Sequence, residues 1–391
     1  MDKKRIIYVI GGYDALDHNL REMVKYYDDK GYDLYEFNIK DPIKSLGGLY
    51  EFLEKGSVTA ALFSNQVGMF TEIKQGVNLW DALNVPCIDI MMDHPFTYAP
   101  ILTRLPQNSI CICQDRNHMA YLQRFYPEIP SVGFLPHGGT LPDKPVMPIH
   151  DRPIDVLYTG GIAAPVIDRV MPDFSLYYFP MEKCGKEALD ILISEPWHTT
   201  EEVIEHALLS HGAEWPDNEL REIIADMRYV DLLATSYYRE KTIRTLLDGG
   251  IKVTLFGSGW DKMDISSHPN VDFGGMIPAK AATEKGLDAK IVLSTMTWFK
   301  DGTHDRIFNG MLSGALSVTD TSVYMKEEFT SGDELVMFEL TETDQLADTV
   351  RDLLSDTDRM QTIADSGRKR AEVELTWQHR AAEIDEAILS V

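Results

Sequence analysis

The residues best suited to chemistry stand in one run, Thr303-His304-Asp305-Arg306, inside the stretch from Lys290 to Asp320. Ile291 to Thr297 is a short β-branched run, of the kind that fills a buried parallel strand. Asp301-Gly302 interrupts it, and Thr303 is placed to cap a helix that begins at His304. Ile307, Phe308, Met311 and Leu312 recur at helical spacing, so one face of that helix turns inward. Gly314 suits the left-handed position after the helix, and Ala315 to Thr319 resumes as strand. This order aims unpaired N–H groups and the positive end of a helix dipole at whatever lies above the first strand's carboxyl end. In α/β proteins that guest is commonly a phosphate, and His304 and Arg306 add donors and positive charge. The competing reading pairs Arg306 with an acidic neighbour on the outer helix face. The pattern fits one corner of a site for a nucleotide diphosphate and its sugar.

Two more glycine turns, Gly160-Gly161 and Gly257-Ser258-Gly259, follow predicted strands of the same sheet. Each alone is an ordinary tight turn, but strand ends of one parallel sheet share one rim. Gly275-Met276-Ile277-Pro278 follows another of its strands and offers backbone groups to a base edge; an ordinary strand-ending turn is the alternative. For proton handling the sequence offers His94, with Asp93 beside it to orient the ring or act as the base, in the run MMDHPF. A solvated turn histidine beside a proline is the bland reading of the same residues. Gly12, Asp14, Asp17 and His18 lie in the loop after the first strand and can meet acceptor hydroxyls, although most such carboxylates are only solvated. No metal site is expected: Asp356-x-Asp358 falls in a surface turn between helices, away from any strand end. No Walker loop, nucleophile elbow or G-x-G-x-x-G turn occurs.

Strands are predicted at Arg5 to Ile10, Tyr32 to Asn38, Ala60 to Asn65, Cys87 to Met92, Ser109 to Cys113 and Val132 to Leu135, separated by helical patterns. That alternation means a parallel, doubly wound sheet over residues 1–140. Prolines 142, 145, 148 and 153 mark a linker, 141–154. A second such sheet begins at Asp155 to Tyr158 and fills 155–376, with a helical insertion at about 165–230. Its later strands are Lys252 to Phe256, Val271 to Phe273, Ile291 to Thr297, Ala315 to Thr319 and Leu335 to Phe338. A last helix occupies 377–391.

The run THDRIFNGMLSGALSVTD, with KVTLFGSGWDK and VDFGGMIP upstream and ADSGRKRAEVELTWQHR downstream, resembles the CgeB-like, spore-maturation-type glycosyltransferases with their "glycosyltransferase group 1" domain. The resemblance spans roughly 245–385, with weaker matches in DVLYTGGI and FLPHGG. It implies the GT-B architecture: an α/β fold with two doubly wound parallel-sheet domains facing across a cleft, the last helix crossing back to the first. It implies a donor site in the second domain. Asp301 and Asn309 stand where many retaining relatives carry two glutamates, so Asn309 joins the donor-side candidates. His137, in LPHGG, resembles a hinge motif that shapes the hinge or touches the donor. The His-Asp pair of many such enzymes is here reversed as Asp93-His94.

The 391 residues carry 37 Lys plus Arg against 62 Asp plus Glu, a formal charge of −25. Such a surface argues against nonspecific binding of nucleic acid or anionic membranes. Of four cysteines, Cys111 and Cys113 in SICIC alternate with isoleucine, as small core residues of a reducing compartment rather than a redox pair. No apolar run is long enough to span a bilayer, and MDKKRIIYVIGG reads as a first strand, not a signal peptide. The expectation is a cytoplasmic, metal-independent transferase with no cofactor. It moves a hexose-type sugar from a nucleotide diphosphate-sugar co-substrate to a carbohydrate, glycoconjugate or protein acceptor. The rivals are a nucleotide-sugar epimerase or hydrolase on the same scaffold, and a non-catalytic sugar-nucleotide-binding subunit.

Overall fold

The computed structural model describes residues 3–389. The chain divides into two compact units, with breaks after Thr140 and after Val373, and the segment from Glu374 onward belongs to the first unit.

The first unit holds β1 (Arg5–Ile10), β2 (Asp33–Asn38), β3 (Ala60–Ser64), β4 (Glu72–Lys74), β5 (Val77–Asn78), β6 (Cys87–Met91), β7 (Ser109–Cys113) and β8 (Ser131–Phe134). Six of them form one parallel sheet in the order β2-β1-β3-β6-β7-β8, while β4 and β5 pair only with each other, as an antiparallel hairpin. β1 and β2 pair without a slip from Arg5↔Asp33 to Ile10↔Asn38. Alternation along β1 serves two cores: Ile6 and Ile10 join Leu20, Met23 and Ile88, whereas Ile7 and Val9 join Phe37, Phe63 and Trp80. Cover on both faces is why these strands read as unbroken apolar runs. The helix Trp377–Ile384 lies on the first of these cores through Trp377, Ala381 and Ile384. Tyr27 Oη donates to the Ala381 carbonyl at 3.1 Å, and Tyr32 Oη to Asp385 Oδ1 at 2.5 Å. Gly138 is required there, because a Cβ would stand 2.6 Å from the Trp377 amide nitrogen.

The second unit holds β9 (Ile154–Thr159), β10 (Val253–Phe256), β11 (Val271–Gly275), β12 (Ala289–Ser294), β13 (Leu316–Asp320) and β14 (Val336–Phe338), all parallel, in the order β11-β10-β9-β12-β13-β14. The winding reverses between β9 and β12, and doubly wound sheets hold ligands outside the carboxyl ends of strands at such a reversal. Between β9 and β10 the chain forms the helices Met181–Ser194, Thr200–Ser210, Asp217–Asp226 and Tyr229–Asp248. Thr199 and Glu202 make a reciprocal capping box that starts the second of these.

One local expectation changes. The helix after β12 begins at Asp305, and His304 rather than Thr303 is its cap, its ring nitrogen accepting from the Arg306 N–H at 3.2 Å. Thr303 is fully buried instead. The proline-marked segment 141–154 is held by a buried arginine. The Arg152 guanidinium is buried and donates to the carbonyls of Met147, Gly286, Ala289 and Ser313, which ties the segment to the second unit. Burial pulls this arginine down to about 10, so those carbonyls are what keep a charge there tolerable.

Candidate functional site

At the reversal point of the second sheet, β9 ends in Gly160-Gly161 and β12 in Ser294-Thr295. Arg306, from the first turn of the helix Asp305–Leu312, reaches back over both. Its Nη1 donates to Ser294 Oγ at 3.2 Å, and its guanidinium lies 5.6 Å from the centre of the Tyr158 ring. Tyr158 is itself fixed by a 2.9 Å hydrogen bond with Thr295 Oγ1. Arg306 Nη2 would be 3.3 Å from a Cβ on Gly160, so the guanidinium lies close against that glycine. Burial and then the nearby charge of Arg239 weaken the proton affinity of Arg306, against the opposing effect of Tyr158.

Arg239 comes from the middle of the helix Tyr229–Asp248 and donates to the Gly161 carbonyl, with its guanidinium 4.8 Å from the centre of the Trp298 ring. Its Nε is buried without a hydrogen-bond partner. Thr235, one turn earlier, holds the same helix to the loop through a 2.9 Å bond with Thr297. His304 Nδ1 stands 2.7 Å from Asp305 Oδ1 and 3.2 Å from the Arg306 nitrogen. A proton on Nδ1 serves the carboxylate; without it, the same atom accepts from the amide. Burial, then the charge of Arg306, lowers the histidine's proton affinity. Two half-buried guanidiniums therefore meet the Gly160-Gly161 turn, beside a helix N-terminus, in a strongly acidic chain. Positive charge beside a helix N-terminus is chemistry that can hold an anion.

The loop from β12 to this helix is anchored from below. Asp320, at the end of β13, is buried and accepts from the Met296 N–H at 2.8 Å. Burial pushes this carboxyl up to about 6. Ser322 Oγ donates to the Gly302 carbonyl at 2.6 Å, and Lys300 Nζ to the Pro196 carbonyl at 2.6 Å. Thr303 Oγ1 is buried with no partner. Asn309 lies one turn into the helix, half-buried.

The glycine turns meet each other more than they meet an open rim. The Gly160 N–H donates to the Phe256 carbonyl at 2.8 Å and the Gly257 N–H to the Gly275 carbonyl at 2.9 Å. Gly257 has φ +143° and would put a Cβ 2.2 Å from the Gly160 carbonyl oxygen. These amides are spent on joining strand ends, which removes them as phosphate donors. Ser258 is exposed on the same turn. Met276 is 74 % exposed just beyond β11, with Ile277 half-buried next to it.

In the first unit, Asp93 and His94 part company. His94 is buried, stacked on Phe96 with ring centres 3.8 Å apart, and near His118 at 4.3 Å. Its Nδ1 accepts from the Phe96 N–H at 3.2 Å, and burial depresses its proton affinity to about 3. It is a neutral ring that starts the turn Pro95–Tyr98. Asp93 is exposed, and its Oδ2 accepts from Asn65 Nδ2 at 2.8 Å and from Tyr98 Oη at 2.9 Å. Asp14, Asp17 and His18 are helical, not in a loop: Asp17, in the first turn of the helix Asp14–Asp29, accepts from the amides of Gly11 at 3.0 Å and Gly12 at 3.3 Å, so the Gly12 N–H is turned inward. Asp14 is exposed in the first turn of the helix Asp14–Asp29, while His18 contacts Thr140 Oγ1 at 3.3 Å. His137 is buried, 5.9 Å from the Trp377 ring.

Arg239 and Asn65 are absent from the sequence-derived candidates. Nothing in the pattern around Arg239 sets it apart from any helical arginine, because its partners are 78 and 59 positions away along the chain. Asn65-Gln66 carried a signal, two polar amides ending an apolar strand. Among the described residues, no group of three or more His, Cys, Asp or Glu side chains converges to hold a metal ion, and no helix is long and apolar enough to cross a membrane.

Residues 239–386 match the model of a family described as glycosyl transferase-like. No curated protein matches the chain. Among solved structures, the sucrose-phosphate synthase of Thermosynechococcus elongatus is 11 % identical, covers 98 % of both chains and superposes with a TM-score of 0.51. HepE of Anabaena, in complex with UDP and glucose, is 10 % identical over 99 % of both chains, with a TM-score of 0.50. A glycosyltransferase of Rickettsia africae is 9 % identical over 99 % of this chain and 98 % of its own, with a TM-score of 0.51. The fold, two doubly wound parallel sheets, is that of the GT-B glycosyltransferases.

Proposed function

We propose that the protein is a glycosyltransferase that moves a hexose-type sugar from a nucleotide diphosphate-sugar to a hydroxyl acceptor without a metal ion. The observation that carries this reading is the pair of guanidiniums, Arg239 and Arg306, that both meet the Gly160-Gly161 turn. Their charges, with the N-terminus of the helix Asp305–Leu312, are matched to a leaving diphosphate, which is the work a metal does in other transferases. Thr303 to Arg306 and Asn309 make the donor's sugar-and-phosphate side; Ser258, Met276 and Ile277 make its nucleoside side. Gly160, Gly161 and Gly257 hold the turns close enough for this.

The acceptor side belongs to the first unit, with Asp93 as the proton acceptor and Gly12, Asp14, His18 and His137 around the acceptor path. In the transfer, the acceptor oxygen forms the bond to the sugar's anomeric carbon. The bond from that carbon to the diphosphate oxygen breaks, its electron pair leaving with the nucleoside diphosphate. The hydroxyl proton passes to the Asp93 carboxylate. His94 keeps its ring neutral and serves the same turn by capping it. Since HepE, a fold neighbour, was crystallised with UDP and glucose, UDP-hexoses are the first donors to test.

The test is calorimetric binding of a panel of nucleoside diphosphates and their sugars. One base should bind selectively, and R306A should lose that binding. Equal, weak binding of every nucleotide, unchanged by R306A, would remove the reading.

A further inference from the structure

The loop after β3 holds two consecutive residues in the left-handed region that are not glycine, Asn65 at φ +49° and Gln66 at φ +58°. Asparagine tolerates this conformation and glutamine rarely adopts it, so a turn that served only to reverse the chain would be easier with glycine. Backbone strain of this kind persists where the surroundings over-determine it, and it marks functional positions. The surroundings here are explicit. Asp89, buried in β6, accepts from the Gln66 amide at 2.9 Å and from its side-chain Nε2 as well. The Asn65 N–H donates to the Ile90 carbonyl at 3.1 Å. Each end of the Asn65 side chain then has one task. Oδ1 accepts from the Met92 N–H at 2.7 Å, and Nδ2 donates to Asp93 Oδ2 at 2.8 Å.

Asn65 is 6 % exposed, while the carboxylate it holds is open to solvent. Tyr98 Oη donates to the same oxygen, Oδ2, so both donors load one side of the carboxylate. Neither donor engages Oδ1. A carboxylate on a short, rotatable side chain at a strand end gains a fixed aim from such an arrangement, and fixed aim is what general-base transfer requires.

We infer that Asn65 is a positioning residue: its strained backbone is kept so that its amide can lock the Asp93 carboxylate with Oδ1 facing the acceptor. This rests on the reading of Asp93 as proton acceptor, and it adds the residue through which that carboxylate is aimed.

N65D separates this role from a purely structural one. Aspartate tolerates the left-handed conformation and keeps an oxygen for the Met92 N–H, but it replaces the donor to Asp93 with a second carboxylate oxygen. The measurements are the crystal structure of N65D, its thermal unfolding, and steady-state transfer with the donor chosen by the binding panel. We expect a folded protein in which Asp93 has swung away from Tyr98, kcat at least tenfold lower, and an unchanged KM for the donor. Asp93 remaining in place, or kcat within twofold of the parent protein, overturns the inference. If N65D does not fold, N65G, which relieves the backbone and removes the donor, is read by the same criteria. D93N tests the underlying reading separately. Full turnover in D93N removes the proton-acceptor role itself, whereas loss of turnover in D93N with none in N65D removes only the part given to Asn65.

Discussion

Arg239 and Arg306 meet one glycine turn, the first donating to the Gly161 carbonyl and the second lying beside Gly160. Their like charges repel, and the effect on Arg306 adds to that of its burial. A dianionic ligand between them turns that repulsion into attraction. Charge-assisted hydrogen bonds of this kind contribute about 1.5–3 kcal/mol each, or roughly 10–100-fold in affinity. R306A and R239A are each expected to weaken nucleoside diphosphate binding by about that factor, measured by calorimetry. R306K should recover little, because an ammonium cannot reach Ser294 and a phosphate together as a planar fork does.

Asp320 gives the protein a pH-dependent stability. Its carboxyl titrates near 6 when folded, against 3.8 in the ordinary case, because burial disfavours the charge. Below about pH 4 both folded and unfolded chains bind the proton, and the group costs nothing. As pH rises through the window from about 4 to 6, the unfolded chain ionises first, so stability falls; above it the folded protein carries a buried charge, at a cost of about 3 kcal/mol. D320N keeps a carbonyl oxygen for the Met296 N–H and removes the charge. Denaturant unfolding at pH 4 and pH 7 should show the parent protein losing more stability between the two than D320N, by about 2–3 kcal/mol.

Asp89 obeys the same rule, with its carboxyl also pushed up to about 6 by burial, against the pull of the Gln66 hydrogen bonds. Gln66 Oε1 is buried without a partner. In D89N the Gln66 amide can turn over so that this oxygen accepts from the new amide. D89N is therefore expected to fold, with the loop after β3 intact by crystallography and a flatter stability profile between pH 4 and 6.

G257A should be among the most damaging single substitutions. Its backbone is at φ +143°, and a methyl there would meet the Gly160 carbonyl oxygen at 2.2 Å. The two turns would have to separate, at a cost on the order of 3 kcal/mol or more. Thermal unfolding and donor binding should fall together. G31A, at a glycine with nothing within 4 Å of the added carbon but φ +79°, should lose only about 1 kcal/mol, and binding should be unaffected.

Tyr13 is 76 % exposed in the loop after β1. Exposed aromatic faces bind pyranose rings. Y13A is expected to raise KM for a carbohydrate acceptor several-fold with the donor KM unchanged, read from initial rates at saturating donor.

Much of this molecule is written in local pattern. Apolar strand runs, glycine turns and helical spacing determine both sheets, because parallel strands covered on two faces must be apolar throughout, and short periodic signals suffice to mark them. The stretch from Ile291 to Asp320 determines its own helix, its left-handed Gly314 and its aimed Arg306, since each depends on neighbours a few residues away. The identity of the cap was the one local detail that went differently, His304 having an acceptor nitrogen that reaches the same N–H a threonine would. What only the tertiary structure decided is everything that depends on distant partners. Arg239 meets Gly161 because a helix following an insertion returns across the sheet. The glycine amides pair with carbonyls of the neighbouring strands because adjacent strands end at the same height. His94 became a neutral core ring and Asp93 the open carboxylate because burial, which the sequence of a turn does not encode, fell on one and spared the other.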